Sequence, residues 1–557
     1  MTVHRSRFSG PVGVAIGLTL ALCLLGCASA PSPARVEFRP EMSQPRLVLT
    51  LVVDQLRADY LMRYRERFLP PVDSSGRPGG FAYLMDEGAH YPLAQYNVAH
   101  ALTAPGHATL LTGAYPYRTG IVLNRWFDSE AQALVYCVGD ARYAGVGTVS
   151  PVTVRGTAPT NLKAETISDA MKSLEMPVKV ASIGLKDRAA ILMGGFRSDL
   201  TLWFDWGGFQ WMSSTYYRPD GTLPDWVDGL NTALSARRGE EVVFSTSSER
   251  SIDRPQGEVL RRRIGDPAAV TDTGYGVQIT ADAAIAAFQN MALGKGTGTD
   301  FLNVSFSTFD YLGHAVGPAS PAMAEMLLAH DREIARLLNA IRDGFGGNLE
   351  DVLVVLTGDH GAPPSPEVLI ADGHPAGRID EGALRDELNQ WLKETYGELG
   401  PEEDYIPFMS KLNVYLNHEA IMEKGVSAYL VREGLAQKLS RRDDVVHVAT
   451  IDRLRQGVGL PGLFGRQLEN SYFFGRSGDV VGLLAPYHIT GSDPVIHMSG
   501  YSYDRFVPLI IMAKGVRRGV YAQDAEIIDL APTLSWLMGV IPPASSEGRV
   551  LHEILTP

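Results

Sequence analysis

The stretch Arg46-Leu-Val-Leu-Thr-Leu-Val-Val53 is apolar at almost every position and runs straight into Asp54. A strand open to water on one face alternates apolar and polar residues, whereas an unbroken run of this kind has to be covered on both faces, as in the middle of a parallel sheet. The pattern recurs. Val178–Leu185 leads into Lys186-Asp187-Arg188, Phe301–Phe306 approaches Asp310, and Val352–Leu356 reaches Asp359-His360. Helical periodicity separates the runs, over Leu162–Leu174, Ala281–Met291 and Met323–Phe345, the last with Leu327, Leu328, Ile334, Leu337, Leu338 and Ile341 on one face. Strand and helix in alternation predict an α/β fold with a doubly wound, mostly parallel sheet, in which ligands bind beyond the carboxyl ends of the strands. The polar ends are therefore expected to converge.

The chain around this core divides by composition. Residues 1–26 read as an export leader: His4, Arg5 and Arg7 make a basic start, and Val12–Leu25 is apolar but too short and glycine-interrupted for a membrane span. Leu24-Leu25-Gly26-Cys27 resembles the bacterial lipobox, which implies cleavage before Cys27 and a lipid on it, with Ala28 pointing to the outer membrane. The alternative is an ordinary leader cut after Ala28-Ser29-Ala30. Both imply export, to the periplasm or the outer membrane; contact with lipid is expected only through an anchor on Cys27. Residues 27–45, rich in proline, are expected to be a tether; 46–374 and 494–557 a catalytic core, with Phe506–Met512 as a late strand; 375–493 an inserted cap domain; and about 199–260, around the Trp203–Trp226 aromatics, a smaller insertion.

Of three cysteines, Cys23 leaves with the leader and Cys27 is lipidated, so Cys137 stands alone and no disulfide framework forms. A formal charge of -13 argues against nucleic acid as a standing partner, while leaving room for phosphate in a small positive pocket. A monomer acting on small molecules is expected.

The stretch Val98–Gly113 carries the first chemical signal. Thr103 precedes Ala104-Pro105-Gly106, and a proline followed by His-Ala-Thr-Leu-Leu starts a helix, so Thr103 sits at a helix N-terminus. There it could cap the helix, or it could attack an anion held by the free N–H groups, given a metal to lower its pKa. Asp310-Tyr-Leu-Gly-His314 sets a carboxylate and an imidazole four residues apart, and Gly358-Asp359-His360-Gly361 sets them side by side; both suit zinc. Asp54 could end a strand as a turn residue. Lys186-Asp187-Arg188 reads either as a solvated charged loop or as a phosphate clamp, arginine giving a planar fork of donors and lysine a point charge.

Taken together, Val-Val-Asp54-Gln, Thr103-Ala-Pro-Gly-His, Gly120-Ile-Val-Leu-Asn124-Arg-Trp-Phe-Asp, Leu-Lys186-Asp-Arg188, Asp310-Tyr-Leu-Gly-His314, Thr-Gly-Asp359-His360-Gly and His497-Met-Ser-Gly-Tyr resemble, in this order, the alkaline phosphatase superfamily. Within it the chain is most similar to the bacterial monoesterases with a threonine nucleophile, the PafA type, relatives of the nucleotide pyrophosphatase/phosphodiesterases. One departure is Ala104, where glycine is the commoner residue.

The resemblance implies two zinc ions (Zn2+), one held by Asp54, Asp359, His360 and the Thr103 oxygen, the other by Asp310, His314 and His497. It implies attack of Thr103 on a phosphate monoester, a phosphothreonine intermediate, and Asn124, Lys186 and Arg188 binding the phosphoryl oxygens. The cations would favour a monoester dianion over a diester; a phosphodiesterase or nucleotide pyrophosphatase on the same site is the alternative. The sulfatase motif Cys/Ser-x-Pro-x-Arg does not surround Thr103, and a catalytically dead binding lipoprotein has no feature in its favour. His90, His100 and His107 are expected to pack, and His374 is the reserve ligand should His497 not serve.

Overall fold

The computed structural model describes residues 44–147, 156–245, 259–400, 403–456 and 460–556. The expected leader, the lipid attachment at Cys27 and nearly all of the tether lie outside these residues.

A ten-stranded sheet organises the chain. From one edge its strands are Gly519–Val520, Ala89–Gln95, Phe506–Met512, Val352–Thr357, Leu47–Val53, Asp300–Phe306, Val180–Gly184, Leu200–Asp205, Gln210–Ser214 and Gly145–Val146. The strands from Val352–Thr357 through Leu200–Asp205 run parallel, and the flanking ones on either side are mostly antiparallel. The Leu47–Val53 strand is buried at every position. Alternate side chains serve opposite layers: Leu47, Leu49, Leu51 and Val53 join a core with the Gly274–Asn290 and Pro321–Gly344 helices. Against the other face packs the Asp187–Gly194 helix, itself in contact with the Thr103–Thr112 helix. Helices thus cover both faces, and the expected mostly parallel α/β sheet is present.

The stretch 199–260 divides. Leu200–Asp205 and Gln210–Ser214 extend the central sheet, whereas the Asp225–Ala236 helix and the Glu241–Ser245/Val259–Arg263 hairpin stand outside it. The aromatics expected to fill an insertion are core residues of the sheet: Leu200, Leu202 and Phe204 pack on one face while Trp203 packs on the other.

Within 375–493 a four-stranded antiparallel sheet forms, in the order Phe408–Ser410, Asn413–Tyr415, Val480–Leu484, Val445–Thr450. The Glu381–Tyr396 and Ala428–Leu439 helices give it an apolar core of its own, with Leu388, Leu392, Val431 and Leu435 fully buried. Its first two strands are joined by Lys411-Leu412 alone, both with positive φ (52° and 53°).

Candidate active site

The parallel strands deliver their polar ends to one place. Val53 is followed by Asp54, Thr357 by Gly358-Asp359-His360, Phe306 by the helix that carries Asp310 and His314, and Gly184 by Leu185-Lys186. Asp54, Asp310 and Asp359 are at most 2% exposed.

The Thr103–Thr112 helix is buried at every residue. Its N-cap is Leu102, in extended conformation, so Thr103 is the first helical residue and caps nothing. The Thr103 hydroxyl instead accepts from Lys186 Nζ at 3.3 Å. Asn124 Oδ1 accepts from the Ala104 N–H at 2.9 Å, satisfying one of the helix's open donors and leaving Nδ2 uncommitted. The helix docks closely because Gly106 has no side chain: a Cβ there would come within 2.5 Å of the Asp359 carbonyl oxygen.

Lys186 Nζ donates to Asp54 Oδ2 at 2.6 Å and Asp310 Oδ2 at 2.5 Å, and lies 5.1 Å from the centre of the Tyr311 ring. Burial alone would lower its pKa, but the charges of Asp310 and Asp54 outweigh it and raise the ammonium above the ordinary lysine value. Burial and the neighbouring charges of Asp310 and Asp359 push the Asp54 carboxyl well above the carboxylate range, against the pull of Lys186. For Asp310 burial acts upward too, yet His314 and Lys186 prevail and hold it well below; for Asp359 it is His360 and His107 that prevail.

One ammonium therefore answers three buried carboxylates, and leaving ionised groups uncompensated in such a place costs several kcal/mol each, of order. The histidines show where further positive charge fits. His360 Nδ1 donates to Gly361 O at 3.0 Å, His314 Nδ1 to Val495 O at 2.7 Å and His497 Nδ1 to Ala101 O at 2.8 Å. A carbonyl only accepts, so each Nδ1 carries a proton and each Nε2 is the atom turned toward the carboxylates; against burial, Asp310 raises the His314 pKa, whereas burial lowers those of His360 and His497. His360 Nε2 faces Asp54 Oδ1 at 3.4 Å and Asp359 Oδ2 at 3.3 Å; His314 and His497 Nε2 face Asp310 Oδ1 at 3.3 and 3.4 Å. Where the ring is neutral, as for His360, a lone pair pointed at carboxylate oxygens repels them unless a cation stands between. Among the described residues Asp54 Oδ1, Asp359 Oδ2 and His360 Nε2 are buried with no hydrogen-bond partner, and burial above all lowers the His360 pKa to about 3, keeping the ring neutral.

Among the described residues two groups have the spacing to hold a metal ion, Asp54-Asp359-His360 and Asp310-His360-His497. His360 belongs to both, its ring stacked on His497 at 3.5 Å between centres. His314 stands beside the second group, 5.1 Å from the His497 ring and partly exposed. The donor sets, neutral imidazole nitrogens plus carboxylates, suit zinc. His374 is exposed.

Some contributors carry no sequence signature. Gln55, in the left-handed region at φ 69°, donates its N–H to Asp359 Oδ1 at 3.0 Å and its side-chain amide to Asp310 Oδ1 at 2.8 Å, tying the two donor sets together. His107, expected to pack, bonds Thr103 O in its own helix at 2.9 Å and Ser305 Oγ of the Asp300–Phe306 strand at 2.9 Å, but its Nδ1 also lies 3.2 Å from Asp359 Oδ2. Asn124 and Arg188 line one cavity of about 350 Å3, and the Arg188 Nε is buried without a partner.

The type I phosphodiesterase/nucleotide pyrophosphatase family matches residues 48–483, and the chain belongs to it. Within that family it is an enzyme of the alkaline phosphatase type, similar in particular to PafA. It is 29% identical over 540 residues to alkaline phosphatase PafA of Elizabethkingia meningoseptica, covering 92% of this chain and 95% of that one. It is equally 29% identical to alkaline phosphatase PhoV of Synechococcus elongatus, over 97% of this chain and 99% of the relative. The crystal structure of PafA superposes with a TM-score of 0.82 at 27% identity, covering 92% and 99% of the two chains.

Proposed function

We propose that the protein hydrolyses phosphate monoesters at a pair of zinc ions, with Thr103 as nucleophile. The observation that carries this reading is the pairing of three imidazoles, each with Nε2 turned inward, with three buried carboxylates beside a threonine hydroxyl that caps nothing. Asp54, Asp359, His360 and the Thr103 oxygen would hold one ion, and Asp310, His314 and His497 the other. When bound, such a pair polarises the phosphoryl group, lowers the pKa of the attacking hydroxyl and stabilises the departing oxygen.

The chain's own residues do the rest. Thr103 Oγ1 forms a bond to phosphorus as the ester P–O bond breaks, giving phosphothreonine, and attack by water returns the free hydroxyl and inorganic phosphate. The open N–H groups at the head of the Thr103 helix and the Asn124 amide donate to the phosphoryl oxygens, and Arg188 offers its fork. Lys186, in contact with Thr103 Oγ1, holds positive charge where charge develops. A monoester dianion presents one more such oxygen than a diester, so these cations favour monoesters.

The region 375–493 would act as a cap over the leaving group. Export, a lipid on Cys27 and a monomeric state complete the proposal; among the described residues no helix is long and apolar enough to cross a membrane.

The family match keeps phosphodiester hydrolysis as the second reading. Steady-state hydrolysis of p-nitrophenyl phosphate and bis-p-nitrophenyl phosphate by the zinc-loaded enzyme at alkaline pH separates them. A strong monoester preference, abolished in Thr103→Ala and much reduced in Lys186→Ala and Arg188→Ala, is expected. A diester preference, or equal losses on both substrates, would overturn the monoesterase reading.

A further inference from the structure

The cavity beside Thr103 is more cationic than a phosphoryl group alone requires. It is lined by Leu102, Leu123, Asn124, Arg125, Tyr136 and Arg188 from the core and by Ser410 and Lys411 from the second sheet. Lys186 is paired with Asp54 and Asp310 beside Thr103, and on the proposed reading Arg188 and Asn124 serve the phosphoryl oxygens. Arg125 and Lys411 are then surplus. Neither makes a side-chain ion pair or hydrogen bond among the described residues; Arg125 only stacks over Tyr136 at 5.3 Å. Burial lowers the pKa of Lys411, with Glu381, Asp504 and Asp493 pulling the other way.

The position of Lys411 is held at a cost. A two-residue hairpin turn with both φ values positive ordinarily takes Asn-Gly, and each bulkier residue there is strained by about 1–2 kcal/mol. Here Lys411 and Leu412 fill both places. The strain is opposed on every side: His100 Nε2 and the Asn413 amide bond the Lys411 carbonyl at 3.1 and 3.4 Å, Glu381 accepts the Lys411 N–H, and Leu412 is buried in the second sheet's core. His100 lies three residues before Thr103, so the hairpin tip is fastened to the segment that places the nucleophile. From the core side, Phe127, two residues after Arg125, stacks on Phe408 at 5.9 Å. Both surplus cations are thereby fixed against the same mouth.

We infer that Lys411 and Arg125 form a subsite for a second anionic group on the substrate, so that the preferred monoesters carry a carboxylate or another phosphate on the leaving group. The volume, about 350 Å3, lies at the small end of ligand sites. An unpaired, partly desolvated ammonium gains more from an anion than a solvated one does, which sets the size of the effect.

This inference rests on the phosphomonoesterase reading, and the test separates the two. The zinc-loaded enzyme is assayed for kcat/KM on two matched pairs: 3-phosphoglycerate against glycerol 3-phosphate for a carboxylate, and fructose 1,6-bisphosphate against fructose 1-phosphate for a second phosphate. A preference of about tenfold or more for the second anion in at least one pair is expected, and the favoured pair names the anion. That preference should collapse in Lys411→Met, chiefly through KM, should weaken in Arg125→Met, and should persist in Lys411→Arg. Turnover of all four substrates without preference, or a preference unchanged in Lys411→Met, overturns the subsite and leaves the phosphatase standing. No turnover of any of them overturns both. Melting temperatures of the variants within a degree or two of the parent exclude misfolding as the cause.

Discussion

Two lysines, one from the parallel strands and one from the second sheet, stand in opposite relations to their surroundings. Lys186 is buried between two carboxylates, with both ion pairs at hydrogen-bond distance. Lys411 is only partly covered, sits on a strained turn and makes no ion pair among the described residues. A cation locked between carboxylates contributes to the integrity of the site; a cation kept free of them contributes to what the site admits. On the proposed reading the core supplies the reaction centre on rigid strand ends, and the second sheet, reached through a hairpin tip, supplies variation around it.

The contrast can be broken most directly by removing each charge. In metal-free protein, Lys186→Met leaves Asp54 and Asp310 facing one another uncompensated and should destabilise the fold by about 3–5 kcal/mol in urea titration. Lys411→Met should stay within about 0.5 kcal/mol of the parent. Equal losses would erase the distinction.

Cation binding is the next lever. Adding zinc to chelator-treated protein at about a hundredfold excess over its Kd should raise stability by roughly 2.7 kcal/mol, visible as a thermal shift. The shift should shrink in His360→Ala and be untouched in Lys411→Met. A smaller effect belongs to His107, which orients Asp359 without belonging to either donor set: His107→Ala should weaken cation affinity by about 10–100-fold by calorimetry.

The smallest expected effect is a pH dependence. Burial lowers the Lys411 pKa, so its charge is complete at low pH and is lost as pH rises, earlier than for an ordinary lysine. The preference for a second anion should therefore fade with a midpoint below about 10.5 in the parent. In Lys411→Arg it should stay flat through that range, and the ratio of kcat/KM values against pH reads both curves.

The strands and most of the site could be read in advance because burial on two faces leaves an unmistakable run, as in Arg46–Val53, and because the residue closing such a run has nowhere to go but the carboxyl edge of the sheet. Asp54, Lys186, Asp310 and Asp359 were legible for that reason. Gln55 was not: its part depends on a positive φ that glutamine rarely adopts, and no pattern announces it. His107 was masked by its position inside a helix, where bonding to a carbonyl four residues back is the ordinary fate of a buried histidine. The aromatic stretch at Trp203 misled for a different reason. Tryptophans suggest an insertion outside the core, but Leu200–Asp205 alternates its large side chains between two cores and so behaves as a sheet strand.

The metal-competent groups are contributed by segments scattered from Asp54, near the beginning of the chain, to His497, near its end. No local stretch assembles even one complete donor set, because His360 must meet Asp54 on one side and His497 on the other. Loop closure over such separations precedes any cation binding, so a partly folded chain offers a metal ion only isolated carboxylates and imidazoles. If the proposed metal site is right, tight metal uptake reports the end of folding: a chain that has bound metal there has brought its first strand together with the loop that carries His497.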